Sequence, residues 1–554
     1  MKNIFRIVAI IGLTACFSSC KKVLDVTPTS SYNDETVWAS ADLVQVYVNE
    51  IYAESVFAYK DAGFGWGAQT DELFSNFDWC SEKQYVQGDA TADNQTSSFP
   101  LNYSSTLNFW TTLYNTINKI NVFFENIDRL STEGNEDFIQ NITGQVYFLR
   151  ALCYFELLKR FGGVILVDKA YTIDDTEFSE TRATWDETEA FILSDIEQAV
   201  SMLPETVSSD DYGKATIGAA LALKSRLLLY AASPYFNTAG DATKWQDAAD
   251  AAKAVIDLGL YSLYGSSATY GTIFTDFFNS EVIFARVYGN VYDDRYNTVN
   301  RDLSPNGYDN GNGYSAYDPL QQMVDAFQMA DGTDFSWDNA EEAANPYENR
   351  DPRFYADILY NGASFHGRAA EFYVGGLDSK QSAYASWNAS ETGYTILKMV
   401  DSSYDFSSVP YAPSQWVVFR LAEIYLNYAE AEANLGNTTE ALEYVNLIRQ
   451  RAGMPDITAS GTTDLIEKIQ QERRIELCFE GHRFFDLRRW GIADEGAGDA
   501  LGITITPTNS SDTAFTYEVS TIEERTWASS FYYYPIPRSE IQINPNIEQN
   551  PGYN

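Results

Sequence analysis

Residues 421–451 read LAEIYLNYAEAEANLGNTTEALEYVNLIRQR, a helical run, a turn at Asn437-Thr438 beside a glycine, and a second helical run. A helix, a turn and a helix within about 34 residues is the tetratricopeptide period. Residues 216–258 repeat the arrangement. Small Ala219, Ala220, Ala222, Ala231 and Ala232 are interspersed with Leu221, Leu223, Leu227, Leu228 and Tyr230, and KWQDAADAAKAVIDL follows after a short loop. Alanines set against large side chains let two antiparallel helices approach closely. No such unit buries its apolar face alone, so several must stack. That requirement constrains the fold more than any other feature of the chain.

Other segments share the period. Residues 40–52 show helical apolar spacing, and in 110–127 Trp110, Leu113, Tyr114, Ile117, Ile120, Phe124 and Ile127 fall on one face. Residues 144–161 repeat the pattern and stop at Gly162-Gly163, where 164–167 reads as a short extended piece; a further helix, 184–203, ends at Pro204. Residues 59–100 and 284–393 differ, being rich in Gly, Asn, Asp, Ser and aromatics with little periodicity. Loops of that length in a compact protein are functional or disordered, and the aromatic content favours the first. The expected fold is mainly α, stacked tetratricopeptide-like helix pairs with a loop-rich irregular half.

The N-terminus reads as an address. Lys2 and Arg6 precede an apolar run, Ile7 to Phe17, too short to span a bilayer but suited to a secretory leader. It ends in Phe17-Ser18-Ser19-Cys20, which resembles a loose lipoprotein cleavage box, and the polar stretch behind it suits a tether. Cleavage would leave Cys20 as the lipidated N-terminus, with the membrane engaged through that anchor alone. No other stretch approaches about 18 consecutive apolar residues. The other cysteines, Cys80, Cys153 and Cys478, are odd in number and widely spaced, which gives neither a metal site nor a disulfide framework.

A net charge of −41 opposes nucleic acid and anionic lipid as partners. Aromatics make up 15% of the chain, including 38 Tyr and 11 Trp. That supply fits a large aromatic core and equally fits flat surfaces for the C–H faces of sugar rings.

Residues 471–491, QERRIELCFEGHRFFDLRRWG, read as a helix up to Glu480, a glycine cap at Gly481, then a buried corner where Phe484, Phe485, Leu487 and Trp490 meet Arg483, Arg488 and Arg489. As a string this closely resembles a C-terminal signature of the SusD/RagB family of outer-membrane nutrient-binding lipoproteins. Further blocks look like the same family in the same order: LDVTP, FLRALCYFELLKRFGGVILV, NSEVIFA, NPYENRDPRFYADILYNG, GYTILKM, both helix pairs, and the tail YYYPIPRSEIQINPNIEQNPGY. The resemblance implies a ligand site in the irregular half and a partner, a SusC-type TonB-dependent barrel that such proteins cap while handing over oligosaccharides or, in some members, peptides. It divides the chain into a leader (1–19), a tether (20–35), an N-terminal half (36–260) and a C-terminal half (261–554).

Catalysis finds little to build on. The two histidines, His366 and His482, are far apart and lack the spacing of a zinc helix. Gly63-Phe64-Gly65-Trp66-Gly67 lacks the spacing of a dinucleotide loop. A helical-barrel glycoside hydrolase is the rival of a different class, since it too is secreted, acidic and aromatic, and it needs two carboxylates about 5–10 Å apart. Asp331, Asp334, Asp338, Glu341 and Glu342 could clasp calcium but do not match an EF-hand loop, and a solvated acidic loop accounts for them as well. No metal or cofactor is expected. The expected function is non-catalytic capture of oligosaccharide, with a peptide-binding member of the same family as the alternative. Stacking platforms are expected from Trp66, Trp79, Tyr292, Tyr296, Tyr308 and Tyr314, with Asp71 accepting hydrogen bonds from sugar hydroxyls.

Overall fold

The computed structural model describes residues 34–57, 64–78, 80, 82–93, 109–289, 298–308, 311–384, 386–403 and 413–553. The leader, Cys20, Trp79, Tyr292 and Tyr296 lie outside the described residues.

Nine helices of the described residues form the scaffold: α1 (Ala41–Ser55), α2 (Phe109–Asn126), α3 (Glu136–Phe161), α4 (Trp185–Met202), α5 (Ile217–Ala232), α6 (Ala242–Asp257), α7 (Leu421–Leu435), α8 (Thr438–Ala452) and α9 (Thr462–Glu476). Successive members pack in turn: α2 on α3, α3 on α4, α4 on α5, α5 on α6, α7 on α8 and α8 on α9. Between α6 and α7 the chain leaves the stack to build the loop-rich half, yet α6 packs directly on α7. The stack is therefore continuous in space although interrupted in sequence. Small side chains make this possible, since Ala219, Ala222, Ala248, Ala252, Ala422 and Ala429 are all buried. The fold is the mainly α architecture expected.

Local chemistry sets the helix ends. Thr184 and Glu187 form a reciprocal capping box at the start of α4, and the Asp241 side chain accepts from the Thr243 N–H at the start of α6. Gly436, at φ +85°, closes α7 in the left-handed conformation and lets α8 turn back. Helix α3 begins at Glu136, two turns before residue 144, with Phe138, Ile139 and Ile142 continuing the apolar spacing toward its start.

The loop-rich half carries short antiparallel pairs: β1 (Leu73–Ser75) with β3 (Tyr317–Pro319), β2 (Val282–Tyr288) with β4 (Ser414–Arg420), and β5 (Ala500–Pro507) with β6 (Phe515–Glu523). One apolar core fills the helical stack and takes in Trp66, Phe484 and Phe485; a second, around Phe327, Phe354, Tyr394, Trp416 and Phe479, fills the loop-rich half.

The segment 471–491 joins the two cores and departs from the expected helix. Helix α9 ends at Glu476, and a separate helix, α10 (Arg483–Trp490), replaces the irregular corner. The break is made by distant groups. The Glu476 carbonyl accepts from Arg420 Nη2 (2.7 Å), Lys398 Nζ (2.9 Å) and Tyr270 Oη (3.1 Å). Phe479 then takes φ +63°, a costly conformation for a bulky residue, with its N–H donating to Glu72 Oε1 at 2.9 Å.

Around this turn lies a buried ionic cluster. Arg420 donates to Glu281 (2.7 Å), Glu476 (2.6 Å) and both oxygens of Glu480 (2.7 Å each). Arg451 pairs with Glu281 and Glu476, Arg353 with Asp351, Glu472 and Glu476, and Lys398 with Glu480. These ties bind α7, α8, α9, β2, β4 and the loop-rich half into one body.

The cluster predicts acid sensitivity. Burial disfavours ionisation of Glu476, Glu480 and Asp486, but neighbouring Arg and Lys side chains outweigh it and hold all three carboxyls below their usual range. Asp71 and Glu156 are held at about 2 in the same way. A depressed carboxyl contributes stability that is present above its unfolded value and lost as pH falls through its folded value. For Asp71 and Glu156 that contribution is on the order of 2–3 kcal/mol each. Glu72 and Asp357, raised by burial to about 7, act in the opposite sense between their ordinary range and neutrality, as do Glu82 and Asp318, also raised by burial, and His482, lowered by burial, opposes them. The melting temperature should therefore hold or rise slightly from pH 7 to 5 and fall steeply below about pH 4.5. A melting series in matched ionic strength checks this.

Candidate functional site

Among the described residues, the most open aromatic of the loop-rich half is Trp387, 67% exposed in a short turn, Ser386–Asn388. The half-buried ring of Tyr314 lies 6.2 Å away, tilted by 49°. Three distant segments bring the pair together. The chain around Tyr314 is folded back on a one-turn helix, Val299–Leu303, by bonds from Tyr314 N to Arg301 O (3.0 Å), Ser315 N to Ser304 O (3.0 Å) and Ala316 N to Asp302 O (2.7 Å). Asn388 Nδ2 donates to Gly313 O at 3.1 Å, which ties the Trp387 turn to the same loop. Asn76 Nδ2, just past β1, donates to Ala389 O at 2.8 Å. The Arg301 guanidinium carbon lies 4.4 Å from the Tyr314 ring centre, with Nη2 and Nε held by Asp302 Oδ1 at 2.9 and 3.1 Å. An open indole beside a braced phenol offers a two-ring apolar platform with a polar rim.

The other expected contact residues lie differently. Trp66 is 6% exposed, in the one-turn helix Phe64–Gly67. Its indole meets Phe485 edge-on at 5.1 Å and the Arg160 guanidinium at 4.4 Å, so it has no open face for a sugar ring. Asp71 is likewise engaged: Arg483 grips both oxygens at 2.9 Å and Arg474 adds a contact at 2.8 Å. Burial alone would raise its carboxyl, but these two cations hold it at about 2, as a tie between β1 and α10 rather than an acceptor for ligand. Tyr308 is buried with the Arg368 guanidinium 3.7 Å from its ring centre and Phe365 edge-on at 4.9 Å. Of the described candidates, Tyr314 alone reaches an exposed aromatic face. Sequence pattern does not single out Trp387 from the other aromatics of the Gly/Ser/Asn-rich stretch 284–393.

The comparisons with known proteins agree with this architecture. A SusD family model matches residues 280–553, and a model described as starch-binding associating with outer membrane matches 22–229. A solved SusD-like protein from Bacteroides fragilis superposes with a TM-score of 0.80 at 32% identity, covering 94% of this chain and 99% of that one. The chain belongs to the SusD/RagB family. A second B. fragilis structure, a SusD-like carbohydrate binding protein, gives a TM-score of 0.77 at 25% identity over 93% of this chain and 100% of that one. SusD-like protein P38 of Formosa agariphila is 25% identical over 522 residues, 91% of this chain and 94% of that one.

In this SusD family protein the polar groups singled out by sequence have structural duties. Buried His482 lies 3.4 Å from Arg473, and its imidazole is kept neutral by burial and by nearby Arg226, Arg473 and Arg420. In the acidic loop, Asp331 accepts from Thr333, Asp334 from Gln328, and Glu342 from Ser336 N–H at 2.8 Å. Among the described residues no group of three or more His, Cys, Asp or Glu converges on a metal-sized site, and no helix is long and apolar enough to cross a membrane.

Proposed function

We propose that this protein captures oligosaccharide at the Trp387–Tyr314 platform without cleaving it. The platform carries the reading: two rings 6.2 Å apart, one largely open, in the half of the molecule built from irregular loops. Sugar C–H faces stack on such rings, and polar groups of the surrounding loops supply partners for hydroxyls. Family membership adds the remaining steps. Lipidation of Cys20 holds the protein at the outer membrane, and bound glycan passes to a SusC-type TonB-dependent transporter. Of the carboxylates near the platform in sequence, Asp302 is paired with Arg301 and Glu391 with Lys380, and Asp318 is fully buried, which favours binding over hydrolysis.

Affinity electrophoresis against a panel of soluble polysaccharides, followed by long incubation with each retarding polymer and a reducing-end assay, tests the reading. Retardation by at least one polymer with no new reducing ends is expected. Sugar release abolished by a single Asp or Glu substitution would establish the hydrolase instead.

A further inference from the structure

The turn that presents Trp387 lies against buried oxygen atoms that accept nothing. Asp318, the middle residue of β3, pairs with Phe74 of β1 and is fully buried, yet neither oxygen of its carboxylate has a hydrogen-bond partner. The Ser390 side chain and the Glu391 backbone face it, but Ser390 Oγ gives its proton to Tyr394 O at 2.7 Å. No lysine or arginine of the described residues pairs with Asp318. The Glu391 carboxylate, itself paired with Lys380, adds negative charge to the same neighbourhood. Burial above all, with that charge, pushes the Asp318 carboxyl up.

Neighbouring amides are short of donors too. Asn76 stands two residues beyond Phe74 and so projects to the same side of β1, the side that Asp318 shares. Its Nδ2 donates to Ala389 O at 2.8 Å, and Asn388 Nδ2 donates to Gly313 O at 3.1 Å. Those bonds fix both amide planes and leave both Oδ1 atoms buried without a partner. Ser315 Oγ, in the loop that Asn388 holds, is a further buried oxygen with none.

Ionised carboxylate and amide oxygens accept but cannot donate, so these atoms cannot satisfy one another. Water can serve the amides, but it leaves a buried carboxylate with its charge uncompensated, which is costly. A hard cation serves both.

We infer that a calcium ion binds between β3 and the 388–391 turn, with the Asp318 carboxylate as its charged ligand and the amide oxygens of Asn76 and Asn388 among its neutral ones. Calcium accepts a flexible shell of carboxylate, amide and main-chain oxygens, whereas magnesium demands a near-ideal octahedron and keeps several waters. One carboxylate among neutral oxygens is not a cluster of acids, so among the described residues no group of three or more His, Cys, Asp or Glu marks the place. The ion compensates the ionised form of Asp318 and ties β1 and β3 to the turn of Trp387. On the reading that Trp387 stacks glycan, it also steadies the platform.

The test needs no ligand for the platform. Metal analysis of the purified protein should find about one calcium per chain. Dialysis against EDTA should lower the melting temperature by at least about 3 °C, and calcium chloride at about 1 mM should restore it, whereas magnesium chloride at the same ionic strength should not. Asp318→Asn keeps the shape of a protonated acid and removes the charged ligand, so it should hold no calcium and melt alike in EDTA and in calcium chloride. Should that variant fail to fold, the metal analysis and the wild-type melts decide alone. Trp387→Ala should keep the calcium response, which separates failure here from failure of the glycan platform. Wild-type protein that melts alike in EDTA and calcium chloride, a calcium response that survives in Asp318→Asn, or an equal response to magnesium would overturn the proposal; the first of these would leave Asp318 a protonated acid.

Discussion

Arg420→Leu should lower stability by about 3–5 kcal/mol, or prevent folding in the cell, although residue 420 is not part of the proposed ligand platform. The guanidinium is fully buried and its three nitrogens serve Glu281, Glu476, Glu480 and the Glu476 carbonyl. Leucine fills part of the volume but leaves three buried carboxylates short of a partner, and an uncompensated buried charge costs more than the pair contributed. Arg420→Lys restores the charge but not the fork that reaches Glu476 and Glu480 together, so it should recover only part of the loss. Thermal melts and urea titrations at pH 7 check both variants. Melting of Arg420→Leu within a degree or two of wild type would show that the cluster is not a stabilising joint.

Phe485→Ala should be comparably damaging, about 3–5 kcal/mol of the roughly 5–15 kcal/mol that holds a domain together. The ring packs edge-on to Trp66 at 5.1 Å and to Phe484 at 5.0 Å, and Lys159 Nζ sits 4.2 Å from its centre. Burial already lowers the Lys159 amine to about 7, with Arg160 and Arg226 adding to the effect and Glu156 opposing it. Loss of the ring therefore removes a cation–π partner as well as volume. Trp66→Ala opens the same cavity from the other side and should also melt early. Protein that remains folded in either variant should bind ligand as wild type does, because neither ring reaches the platform.

Much of the scaffold is legible in the sequence because stacked helices repeat one local pattern. Apolar spacing and small residues mark α1, α2 and α4–α8 to within a few residues, and the glycines after α3 and α7 mark their ends. What local pattern cannot carry is a contact made across hundreds of residues. Helix α9 stops at Glu476 because Arg420 and Lys398 take its carbonyl, and nothing near residue 476 announces that. Trp66 and Asp71 share a glycine-rich, loop-like context, yet Arg160, Arg483 and Phe485 draw them inward. Trp387 is the converse. It resembles any aromatic of the irregular half until the turn at Ser386–Asn388 places it outside.

The measurement that bears most directly on the proposed function is a calorimetric titration of wild type and Trp387→Ala with a polysaccharide retained in the electrophoretic screen, with melts on the same preparations. An exposed tryptophan that carries a ligand contributes to binding and little to folding. Trp387→Ala should therefore weaken binding by about tenfold or more, at least about 1.4 kcal/mol, with an unchanged melting temperature. Wild-type affinity in Trp387→Ala at the same melting temperature would contradict the account and move the ligand away from the Trp387–Tyr314 platform.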